Sequence, residues 1–81
     1  MHEITFDKLA IEFLSKLPLE IKERIYNKIT LAKSNPHHLF ERLKERECYK
    51  LRIGDYRVIA DIDKNKIEIR IIGHRKKRLW A

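Results

Sequence analysis

Apolar and polar residues recur along this chain with two different periods, and the change of period divides it into a helical first half and a stranded second half. His2 to Phe6 alternates as a short strand. Asp7 is a suitable N-cap for the segment that follows, where Leu9, Ala10, Phe13, Leu14 and Leu17 recur at helical spacing up to the break before Pro18. Pro18 suits the first turn of a second helix. There Ile21, Ile25, Ile29 and Ala32 form one stripe, flanked by Tyr26 and Leu31, that ends near Ser34-Asn35-Pro36. Two such helices in tandem predict an αα-hairpin covering one side of a sheet. His37 to Glu47 has weak periodicity and reads as a connection, with a turn of helix around Leu39 to Leu43.

From Cys48 onward the period is two: Tyr49, Leu51 and Ile53, then Tyr56, Val58, Ala60 and Ile62, then Ile67, Ile69 and Ile71. These are three strands. Gly54-Asp55 has the form of a two-residue hairpin loop with glycine first, and Asp63 to Lys66 supplies the next reversal. The predicted fold is α+β, ordered β-α-α-β-β-β, with the two N-terminal helices packed on one face of a small, mainly antiparallel sheet. Residues 1–81 read as a single domain with a basic tail at 75–81.

The hairpin loop also fixes a register, with Ile53 opposite Tyr56, Arg52 opposite Arg57 and Lys50 opposite Ile59. On that register Tyr49, Leu51, Ile53, Tyr56, Val58, Ala60 and Ile62 face the helices with Ile67, Ile69 and Ile71. The other face receives Lys50, Arg52, Arg57, Ile59, Arg70, Ile72 and His74.

Charge sharpens this picture. Residues 1–40 hold six basic and five acidic side chains and residues 41–81 hold thirteen and seven, so the excess is +1 against +6. A positive field concentrated in one half suits a polyanionic partner, or an acidic protein. Cys48 is the only cysteine, which excludes an intramolecular disulfide and a cysteine-based metal cluster and suits a reducing compartment. His37 and His38 are adjacent and lack the spacing of a helical metal pair, and Gly54 and Gly73 form no phosphate-cradling motif. Glu41, Glu45 and Glu47 read as solubilising charges. Without a basic start and apolar run, or an apolar stretch of membrane-spanning length, the expectation is a cytoplasmic protein with no membrane partner.

Basic residues alternating with apolar ones usually make a solvated outer face, but like charges directly opposite across strands are destabilising, and Arg52 against Arg57 breaks that rule. Such a local conflict points to a site. Converging guanidinium groups match phosphate oxygens in bidentate fashion. Lys50, among these arginines, is the candidate general base for an RNA 2′-hydroxyl. The arginines would stabilise charge on the pentacoordinate phosphate, without a metal or cofactor. His74 is either an acid–base group or a polar residue at a strand end. Arg70 shares the basic face and is a further candidate for RNA binding. The run Arg75, Lys76, Lys77 and Arg78 reads as a solvated end or an RNA-binding arm, and Trp80 either stacks on a base or packs on the sheet edge.

The order of elements, the segment Cys-Tyr-Lys-Leu-Arg-Ile-Gly-Asp-Tyr-Arg-Val-Ile at 48–59 and Ile-Ile-Gly-His-Arg-Lys at 71–76 together resemble the RelE/ParE superfamily of bacterial and archaeal toxins. The resemblance to RelE-type members implies a ribosome-dependent endoribonuclease that cuts messenger RNA in the A site of a 70S-type ribosome. By position it implies Lys50 as general base, Arg52 in place of a second strand lysine, and Arg57 and Arg75 as binders of the scissile phosphate. It further implies a cognate RelB-like antitoxin in a toxin–antitoxin hetero-oligomer, with Ile59 and Ile72 as exposed contacts for it. The alternatives within the superfamily are a ParE-like, non-enzymatic inhibitor of DNA gyrase and an inactive member that retains RNA or antitoxin binding.

Overall fold

The computed structural model describes residues 2–43 and 48–74. Its elements run β1 (Glu3–Phe6), α1 (Lys8–Ser15), α2 (Leu19–Ala32), α3 (Pro36–Leu39), β2 (Glu41–Arg42), β3 (Tyr49–Ile53), β4 (Tyr56–Ile62) and β5 (Lys66–His74). The helical turn expected around Leu39 to Leu43 falls earlier, in α3, and Glu41–Arg42 is instead the short strand β2. Pro36 opens α3 at its first turn, where its missing N–H costs nothing. β2 is only two residues long, too short for alternation to reveal.

The five strands form one sheet in the order β1-β5-β4-β3-β2. β2, β3, β4 and β5 pair antiparallel in succession, while β1 lies parallel to β5 with Ile4 opposite Ile67 and Phe6 opposite Ile69. Strand pattern identifies β1 but not its neighbour. The pairing instead follows from burial, because it carries Ile4 and Phe6 to the inner face beside Ile67 and Ile69.

Asp7 stands at the N-cap position of α1, and its backbone carbonyl accepts the N–H of Ile11 at 3.1 Å. Its carboxylate makes no cap bond. Ala10 is fully buried, and Phe13, Leu14 and Leu17 pack on the core. Leu9, expected on this stripe, is instead 67% exposed because α1 turns Ala10, one residue on, to the sheet. Pro18 lies at the N-cap of α2, just outside the first turn, and its carbonyl accepts from Ile21 and Lys22 at 3.0 Å. Ile25, Ile29 and Ala32 are then buried against the sheet, as their spacing predicts.

One irregularity decides the faces of β5. Ile59 pairs with Ile71 and Ala60 with Ile69, so Arg70 and Ile71 together oppose one residue of β4. This is a β-bulge, and it reverses the alternation beyond it. Ile72, expected on the outer face, is 2% exposed and paired with buried Val58, while Ile71, expected in the core, turns outward beside Ile59. Strict alternation fails here because an extra residue leaves no mark on the hydrophobic pattern of Ile69-Arg70-Ile71-Ile72.

The β3–β4 hairpin closes through Gly54 at φ 58°, in the left-handed region that the primed turns require. A Cβ there would meet only the Arg24 Nη1 atom, at 3.8 Å, so space is not the constraint. Gly54→Ala is expected to destabilise the domain by about 1–2 kcal/mol through backbone conformation alone. A thermal unfolding curve reads this, and an unchanged midpoint would contradict the turn geometry.

A candidate nucleic-acid-binding face

The hairpin and its tight turn deliver the cations. Arg52 pairs with Arg57 and Lys50 with Ile59, the register that the two-residue loop predicts. With Leu51, Ile53 and Val58 buried, the period of two turns Lys50, Arg52 and Arg57 together onto the face away from the helices. Arg52 is exposed, and Lys50 and Arg57 are half-buried. No ion pair or side-chain hydrogen bond ties any of the three to another described residue. No carboxylate among the described residues neutralises them.

The face is ordered in rows across the strands. One row runs Glu41, Lys50, Ile59 and Ile71, and the next runs Arg52, Arg57 and Gly73. Ile59 and Ile71 place an apolar spot beside the cations, while Gly73 presents no side chain next to Arg57. Glu41, set aside in the sequence as a solubilising charge, lies directly across from Lys50. Only the two-residue strand β2 brings it there, so its position had no signal in the sequence.

Arg70 keeps to this outer face as predicted, yet its charge is engaged. Its Nε lies 2.9 Å from Asp7 Oδ2, and its Nη1 lies 3.0 Å from Asp61 Oδ2 and 3.8 Å from Glu68 Oε2. Three carboxylates neutralise it, which sets it apart from the open trio on β3 and β4.

His74 is not on the basic face. The bulge carries it to the inner side, where it pairs with Tyr56 and meets that ring edge-on at a centroid distance of 5.0 Å. Tyr56 in turn meets Phe13 of α1 at 6.3 Å. His37, on α3, contacts Tyr49 edge-on at 5.5 Å. Arg75, Lys76, Lys77, Arg78 and Trp80 lie outside the described residues. Among the described residues no group of three or more His, Cys, Asp or Glu side chains is placed to hold a metal, and no helix is long and apolar enough to cross a membrane.

Helices on one face of a five-stranded sheet and a cationic hairpin on the other form the α+β architecture of RelE-like folds. Residues 4–79 match the model of the ParE toxin of type II toxin–antitoxin systems. The chain belongs to that family and is the toxin of such a system. No curated protein matches it by sequence. Among solved structures it is similar to the toxin–antitoxin complex RelBE2 of Mycobacterium tuberculosis, with TM-score 0.84 and 23% identity over 91% of this chain and 98% of that one. It is similar also to the intact Escherichia coli RelBE complex, with TM-score 0.76 and 24% identity over 91% and 96%. The archaeal RelE–RelB complex from Pyrococcus horikoshii gives 0.79 and 21% over 94% and 97%. At such identities these likenesses speak for the fold.

Proposed function

We propose that this toxin is a metal-independent endoribonuclease of the RelE type, which cleaves messenger RNA in the ribosomal A site. The observation that carries the reading is the trio Lys50, Arg52 and Arg57, gathered on one sheet face without a counter-ion among the described residues. Two arginines held opposite each other cost stability, and a bound phosphate is what returns it.

In this mechanism the Lys50 amine takes the proton of the 2′-hydroxyl. The 2′-oxygen attacks phosphorus as the bond to the 5′-oxygen breaks, leaving a 2′,3′-cyclic phosphate and, after protonation by water, a 5′-hydroxyl. Arg52 and Arg57 bind the equatorial oxygens, where negative charge grows in the transition state. Arg75 joins them on the strength of the family resemblance. His74 has no part in this step, since its ring packs against Tyr56 on the opposite side of the sheet.

The partners that follow are a ribosome with its messenger, in the cytoplasm, and a RelB-like antitoxin. The antitoxin would cover the cations and the outward pair Ile59 and Ile71, the latter in place of buried Ile72. A second reading, a non-enzymatic toxin acting on DNA gyrase, is favoured by the family match itself, which is to the ParE toxin.

The test adds the purified toxin to ribosomes carrying a defined messenger with a filled P site and an empty A site, and maps cuts by primer extension. Cutting confined to the A-site codon and absent without ribosomes is expected. Intact messenger together with inhibition of gyrase supercoiling would establish the second reading.

A further inference from the structure

The cationic face continues around an open edge of the sheet. β2 pairs only with Tyr49 and Lys50, so beyond Lys50 no strand among the described residues lies beside the outer edge of β3. A cleft of about 310 Å³ opens at this edge, lined by Lys50, Leu51 and Arg52 of β3, Glu41 of β2, Lys28 of α2, and His38 and Leu39 of α3. Lys28 comes from the opposite layer of the fold. It lies three residues after Ile25 and one before Ile29 on α2, at the border of the buried stripe, which aims its stem along the sheet edge. None of Lys28, His38, Lys50 or Arg52 has an ion-pair partner among the described residues.

We infer that this cleft is a second phosphate subsite, in which Lys28 and His38 bind an RNA phosphate next to the one held by the hairpin. The inference rests on the nuclease reading above. Two observations favour RNA as the occupant. With Lys50 neutral as the general base, the remaining charges lining the cleft still sum to 2 − 1 = +1, Lys28 and Arg52 against Glu41. Lys50 and Arg52 also line both the face and the cleft, so one chain of phosphates can pass from one to the other without leaving cations. Leu39, half-buried on α3, offers an apolar surface beside them on which a sugar or base can lie. Glu41 stands beside Lys50 and repels phosphate from the β2 side, which leaves the line from Arg52 to Lys28 as the path.

The test measures A-site cleavage on programmed ribosomes as a function of toxin concentration. Lys28→Gln is expected to raise the half-saturating concentration about three- to tenfold, and to lower the salt slope of that concentration by about 0.7, the value for one phosphate contact on a single strand. Lys28→Arg should restore both, and Lys64→Gln, in the distant β4–β5 turn, should change neither. A messenger whose phosphates on either side of the scissile one are replaced by neutral methylphosphonates separates the two sources of phosphate. If the Lys28→Gln penalty vanishes with it, the bound phosphate is the messenger's; if the penalty persists, it is ribosomal. Half-saturation and salt slope like those of the unsubstituted toxin in Lys28→Gln would overturn the subsite while leaving the nuclease reading in place, and so would a loss confined to antitoxin affinity. Intact messenger with the unsubstituted toxin would overturn both.

Discussion

Arg57→Ala is expected to lower A-site cleavage by about 10²- to 10³-fold, the usual consequence of removing one donor aimed at developing transition-state charge. The same substitution should leave the fold intact and even strengthen it slightly. Arg57 is half-buried on the outer face, directly opposite Arg52, and it makes no ion pair with a described residue. Its removal therefore deletes a like-charge contact worth about 0.2–1 kcal/mol of repulsion. In a domain of this size that is a rise of up to a few degrees in the unfolding midpoint, since 1 kcal/mol corresponds to about 4–8 °C. A residue placed for stability would behave in the opposite way, losing midpoint and activity together. Primer extension and thermal unfolding on the same preparation separate the two cases. Cleavage retained near the level of the unsubstituted toxin would remove Arg57 from the site.

The bulge in β5 sets up the second large effect. Ile72→Asp is expected to unfold most of the population, whereas Ile71→Asp, one residue earlier, should fold. Ile72 is 2% exposed and sits against Val58, which is fully buried. Truncating such an isoleucine costs about 2–5 kcal/mol, and an unpaired buried carboxylate adds several more. Against a total stability of about 4–12 kcal/mol for 81 residues, little remains. Ile71 faces outward beside Ile59 in the row that contains Lys50, where a carboxylate stays hydrated and meets positive charge. Circular dichroism and urea unfolding read both variants. The reverse outcome, with Ile71→Asp unfolded and Ile72→Asp intact, is what unbroken alternation along the strand demands, and it would refute the bulge.

Much of the chemistry depends on that single extra residue. It turns His74 away from the cations and against Tyr56, and it replaces Ile72 by Ile71 as the apolar neighbour of Ile59. Tertiary contact also recruits Asp7, Asp61 and Glu68 around Arg70, so that a cation on the right face is no longer an open one. Asp61 and Glu68 face each other through the β4–β5 pairing, and Asp7, at the end of β1, joins them because β1 lies parallel beside β5.

The two long helices, the hairpin and its register are legible from the residues alone, and with them the convergence of Lys50, Arg52 and Arg57. Those features rest on local rules: a period of 3.6 or 2, a proline break, and a glycine that accepts positive φ, each acting over a few residues. The position of β1, the two-residue strand that sets Glu41 across from Lys50, the bulge, and the approach of Lys28 to the edge of β3 were decided only by the tertiary structure. Each of these joins residues far apart in the chain, or shifts a strand by one position, at no change in hydrophobic pattern. What selects them is the burial of both layers at once, a property of the packed fold that no window of neighbouring residues contains.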